Sequence, residues 1–79
     1  WLDRRALASS EPLLRIDRLD ASEWRFSCDP GATAMYDRAA LWQVLHIDPT
    51  VAIASRMPVG GTLLRNTPEE RWGRLAPEA

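Results

Sequence analysis

The chain has 79 residues, 46 % of them hydrophobic and 27 % charged, which suits one small globular domain and excludes a disordered chain or a multidomain protein. Its ten basic residues are all arginine, set against eleven Asp and Glu for a net charge of −1. That balance lacks the basic excess of a general phosphate-backbone binder, so no nucleic-acid partner is expected.

A chain of this size buries only about 60 % of the surface its unfolded form exposes, so a thin core built around the four tryptophans is expected. The single cysteine, Cys28, forms no internal disulfide, and a secreted domain this small usually needs several; a reducing, cytoplasmic setting is expected. The longest apolar stretches, such as Val51 to Ala54, fall far short of the roughly 20 residues that span a bilayer. No membrane partner is therefore expected. The opening Trp1-Leu2-Asp3-Arg4-Arg5 has no initiating Met and no signal-like pattern, so residue 1 is read as a boundary within something longer or processed.

In chain order, Trp1 to Ala8 reads as a frayed helical turn or a loose arm, broken by Ser9-Ser10-Glu11-Pro12, since proline disfavours the α region for the residue before it. Leu14 and Ile16 alternate with Arg15 and Asp17, and Trp24, Phe26 and Cys28 alternate with Arg25 and Ser27. Period two marks half-buried strands, and the short polar bend Asp20-Ala21-Ser22 makes an antiparallel hairpin the simplest connection. Asp29-Pro30-Gly31-Ala32-Thr33 carries turn chemistry. Next, Asp37 is a plausible N-cap for a helix striped by Ala40, Leu41, Val44, Leu45 and Ile47. Asp48-Pro49 stops that helix and offers the start of a second short one over Thr50 to Met57. Pro58-Val59-Gly60-Gly61 is a turn, after which Thr62–Asn66 and Arg71–Leu75 form a second hairpin and Ala76–Ala79 a tail. The order ββ-α(α)-ββ predicts an α+β domain: an antiparallel sheet of about four strands with one or two helices on one face.

Little in this pattern points to catalysis. Cys28 and His46 are the only pair that could form a nucleophile and its base, but Cys28 lies in phase with Trp24 and Phe26 and is read as a packing residue. One Cys and one His lack the four ligands of a zinc site, and Gly60-Gly61 lacks the lysine and spacing of a phosphate loop. No metal or cofactor is expected. From Ala21 to Thr50 the chain holds four acids, Glu23, Asp29, Asp37 and Asp48, against Arg25 and Arg38, and such loops suit a basic partner surface. Trp42 falls at the edge of the helix stripe. It is read as partly buried over the core, with exposure as a binding anchor the competing reading.

Three stretches in order, Asp20-Ala21-Ser22-Glu23-Trp24-Arg25-Phe26, Val44-Leu45-His46-Ile47-Asp48-Pro49-Thr50, and Met57 through Asn66, resemble a bacterial immunity-protein domain, the family numbered thirty-three and first catalogued as a domain of unknown function. The resemblance covers Leu13 to Leu75. Ser22-Glu23 stands where the family has Ser-Gly, and the loop after the Trp-Arg-Phe strand is poorer in acid. Membership would imply a protein partner, a cognate toxin that the domain binds and silences without catalysis. The residues expected at that contact are Glu23, Asp29, Asp37 and Trp42. The alternative is a small structural or regulatory module of a larger bacterial protein.

Overall fold

The computed structural model describes residues 1–31 and 35–74. The expected turn residues Ala32 and Thr33, Leu75 of the second hairpin and the tail Ala76–Ala79 lie outside them. The elements are β1 (Leu2–Asp3), α1 (Arg4–Ala8), β2 (Arg15–Arg18), β3 (Trp24–Ser27), β4 (Tyr36–Asp37), α2 (Leu41–Ile47), a 3₁₀ helix (Pro49–Arg56), β5 (Thr62–Leu64) and β6 (Gly73–Arg74). The fold is α+β, as the patterning predicts. Both hairpins form: Ile16 faces Phe26 across β2 and β3, and Leu63 faces Arg74 across β5 and β6. They join through β2 and β5, where Ile16 meets Leu63.

The sheet departs from expectation in two ways. It has six strands in the order β4-β1-β3-β2-β5-β6, and it is mixed, because β1 runs parallel to β3. The supposed arm at the N-terminus is thus an interior strand, with Leu2 buried between the flanking chains, followed by a short helix. Two residues are too few to show a period, so their pairing is decided by the backbone donors that β3 and β4 present.

One face of the sheet carries the core. Ile16, Phe26 and Leu63 on the strands cluster with Val44 of α2 and with Val51, Ala54 and Met57 of the following segment. Trp24 and Cys28 are half-buried against that cluster, in the phase their alternation indicates. Leu13, rather than Leu14, is the fully buried leucine, because the strand begins only at Arg15. Helix α2 starts later than the sequence suggests. Ala40 is its N-cap, with Gln43 Oε1 accepting from the Ala40 N–H at 2.7 Å, and Asp37 sits in β4, paired with Leu2. Asp48 does cap the next segment, accepting from the Thr50 N–H at 3.0 Å, with Pro49 at its first position.

Three carboxylates are drawn into the fold, each held by arginine. Asp3 is fully buried and accepts from the backbone N–H groups of Arg5 at 2.9 Å and Cys28 at 2.8 Å and from the Arg5 guanidinium. Asp17, on the other face of the sheet, accepts from Arg15, Arg25 and Thr62 Oγ1. Asp48 receives Arg65 Nη2 at 2.5 Å. Arg65 is itself 4 % exposed; its Nε donates to the Leu13 carbonyl at 2.8 Å, Nη1 donates to Thr50 Oγ1 at 3.2 Å, and its guanidinium lies 4.1 Å from the Trp72 ring centre. Among the described residues no buried side-chain polar atom lacks a hydrogen bond.

The turn after the 3₁₀ helix is closed by the Gly61 N–H donating to the Pro58 carbonyl at 2.9 Å, with Gly60 at φ +82°. Any other residue at Gly60 would be strained there. Gly60→Ala is expected to lower stability by about 1 kcal/mol, read as a fall in urea midpoint with an unchanged slope.

Candidate partner-binding surface

The sequence-predicted contact residues do not gather at one place. Glu23 precedes β3 and Asp29 follows it, which separates them by about 20 Å of extended chain. Asp29 holds the Gly31 N–H at 2.9 Å and so serves the turn. Asp37 is paired with Arg4 at 3.0 Å, both side chains more than half exposed, and such a pair contributes little to stability and leaves little net charge on the surface. The acids expected at the contact are therefore spread over the domain, two of them engaged in a turn and an ion pair.

Glu23 and Trp42 fare differently. An open groove of 540 Å³ runs between the start of β3 and the N-terminal turn of α2, lined by Trp1, Glu23, Trp24, Arg38, Leu41 and Gln43 among others. Its floor is set by the sheet. The Trp1 backbone nitrogen donates to the Trp24 carbonyl at 2.7 Å, and the Phe26 N–H donates to the Trp1 carbonyl at 2.8 Å. Trp24 is locked by its indole N–H, which donates to the Ala54 carbonyl at 2.9 Å, and by Arg18 stacked 5.0 Å from its ring centre. Arg38 lies 4.9 Å over the Trp1 ring. Glu23 is half-buried, its carbonyl accepts from the Leu19 and Asp20 N–H groups, and its charge acts on the terminal ammonium of Trp1, which lines the same groove.

Trp42 stands on α2 between two groove-lining residues and is 71 % exposed, which corrects the expectation of partial burial. Val44 is buried, and Leu41 and Leu45 are half-buried against the core, whereas Trp42, Gln43 and His46 are exposed. The inward stripe thus fills without the indole, and Trp42 falls on the outward side with His46, four residues away as helical spacing requires.

Other chemistry finds less to work with. Burial, with Asp3 adding to it, pushes the Cys28 thiol up to about 12, so it is neutral at pH 7 and a poor nucleophile; it donates to the Glu11 carbonyl at 3.4 Å. Among the described residues no group of three His, Cys, Asp or Glu is placed to hold a metal ion, and no helix is long and apolar enough to cross a membrane. The opposite face of the sheet carries a polar layer that sequence reasoning missed: Asp17 between Arg15 and Arg25, and Ser27 Oγ 2.7 Å from the Tyr36 hydroxyl. Its only sequence signal was the run of polar residues out of phase with Ile16 and Phe26.

No protein-family model, curated protein or solved structure matches this chain. The three stretches singled out in the sequence have clear places in the framework. Trp24 is tied to the 3₁₀ helix, Gly60 and Gly61 form the turn, and Asp48 and Thr50 meet Arg65. These are residues that hold the domain together, and the exposed surface is set by others.

Proposed function

We propose that this chain is a non-catalytic, cytoplasmic protein-binding domain of the bacterial immunity type, which neutralises a cognate toxin by covering it. The observation that carries the protein-binding reading is Trp42, a tryptophan 71 % exposed on a helix that packs Leu41, Val44 and Leu45 against the core without it. Tryptophan is enriched among the residues that dominate binding energy, and an isolated domain gains nothing by leaving one in water. The toxin as partner comes from the sequence resemblance.

Occlusion by so small a domain is physically reasonable. A stable interface takes about 800 Å² from each partner, roughly 15 % of the 5223 Å² this surface offers. The outer side of α2, with Trp42 at its centre and Gln43 and His46 around it, would supply an apolar anchor with a polar rim. Affinity capture from a native lysate with the tagged domain, followed by mass spectrometry, tests the reading. One protein enriched by the wild type and lost with Trp42→Ala is the expected result; no protein above background, or equal recovery by both, would overturn it.

A further inference from the structure

We infer that the groove between the start of β3 and the N-terminal turn of α2 receives a carboxylate of the partner protein, an aspartate or glutamate next to an aromatic or aliphatic residue, with Arg38 as its counter-charge; this rests on the protein-binding reading above. Four arginines of the domain lie over aromatic rings: Arg18 over Trp24, Arg25 over Tyr36, Arg38 over Trp1 and Arg65 over Trp72. Three of them also give their N–H groups to oxygen. Arg18 donates to the carbonyls of Asp20, Ala21 and Met57, Arg25 to the Asp17 carboxylate, and Arg65 to Asp48, Thr50 and the carbonyls of Leu13 and Pro68. Arg38 alone donates to no acceptor among the described residues, although the Trp1 ring 4.9 Å away holds its guanidinium in the groove wall. A guanidinium fixed in this way presents a planar fork of donors that a carboxylate matches with two parallel hydrogen bonds.

The other residues lining the groove narrow the occupant. Gln43 Oε1 already accepts from the Ala40 N–H at 2.7 Å, so the part of that side chain left to a ligand is its NH₂ donor. Glu23, the one acid in the lining, forms no ion pair with Arg38, and its charge acts on the terminal ammonium of Trp1. Two unused donors thus stand in a groove whose remaining walls include the rings of Trp1, Trp24 and Phe26. A basic segment would set a like charge against Arg38. A purely apolar one would strip water from both donors and offer no acceptor in return, which is costly. A carboxylate beside an apolar side chain answers the donors and the rings together. Its sign is opposite to that of the basic surface that a count of acids suggests, and the groove is separate from Trp42, which does not line it.

The test titrates ¹⁵N-labelled protein at physiological salt with the blocked dipeptide acetyl-phenylalanyl-glutamyl-amide, and with its glutaminyl counterpart as the uncharged control. The Trp1 indole and Arg38 Nε–H signals report the groove, and the Trp42 indole serves as a reference outside it. The glutamyl peptide is expected to shift the two groove signals saturably and the glutaminyl peptide to bind about tenfold more weakly. Arg38→Gln is expected to abolish that preference and Arg38→Lys to keep part of it, both with unchanged circular dichroism. Equal affinity for the two peptides, no saturable shift with either, or a preference that survives Arg38→Gln would overturn the inference. The two readings fail separately. Toxin neutralisation that survives Arg38→Gln would remove this site and leave the function, whereas a glutamyl peptide held at Arg38 by a domain that neutralises nothing would keep the site and remove the immunity role.

Discussion

Arg65→Met is expected to destabilise the domain by about 3 kcal/mol and lower its melting temperature by about 15 °C. The guanidinium is buried and serves the Asp48 carboxylate, the Leu13 carbonyl and Thr50 Oγ1 while lying over Trp72. These contacts tie β5 to the start of β2 and to the junction between α2 and the 3₁₀ helix. Methionine fills much of the volume but leaves the Asp48 carboxylate without its cation and the Leu13 carbonyl without its donor. Removing one partner of a buried pair leaves an uncompensated group, the costly case. Adding Asp48→Asn is expected to recover part of the loss, because the amide oxygen can still cap Thr50 without a stranded charge. A thermal melt of the two variants checks this; Arg65→Met melting within a few degrees of wild type would show that the pair does not hold the framework.

The second large effect is acid unfolding. Burial alone would raise the pKa of Asp3, Asp17 and Asp48, but the hydrogen bonds and charges around them outweigh it, and all three lie below the ordinary value of 3.8. For Asp3 the opposing donors are Arg5 and the Cys28 and Arg5 backbone N–H groups, for Asp17 Arg15, Thr62 and Arg25, and for Asp48 Thr50 and Arg65. A carboxylate more acidic when folded than when unfolded contributes stability that is complete above its unfolded pKa. That contribution is lost as pH falls through 3.8 and on through the lower folded values. The urea midpoint is therefore expected to be nearly level from pH 7 to about 5 and to fall steeply below about 4. A midpoint unchanged at pH 3 would contradict the account of these three sites.

Patterning sufficed where a segment was long enough to show a period. The alternation around Ile16 and Phe26 identified the first hairpin, and Asp48-Pro49 marked the start of the 3₁₀ helix. It failed for β1 and β4, two-residue strands whose place depends on backbone groups far away in sequence. It failed differently for Arg65 and Asp17. Charged residues are almost never fully buried unless paired, and the partners become neighbours only once the strands are in register: Arg25 faces Asp17 across β2 and β3, and Thr62 faces it across β2 and β5. The candidate site was half legible. Trp42 and Glu23 could be singled out by type and position, but the exposure of the one and the place of the other in the groove depend on where α2 lies. Asp29 and Asp37 looked equivalent to Glu23 because a count of acids does not reveal which of them the fold employs in a turn or an ion pair.

The central claim, that this domain protects by binding, is tested most directly in cells. The protein encoded beside it is expressed in a bacterial host, alone and together with this chain or its Trp42→Ala variant. The account predicts that growth stops when the neighbour is expressed alone, resumes with the wild-type chain, and is poorly restored by the variant. A neighbour that leaves growth untouched, or a toxic one that the wild-type chain does not relieve, would contradict it.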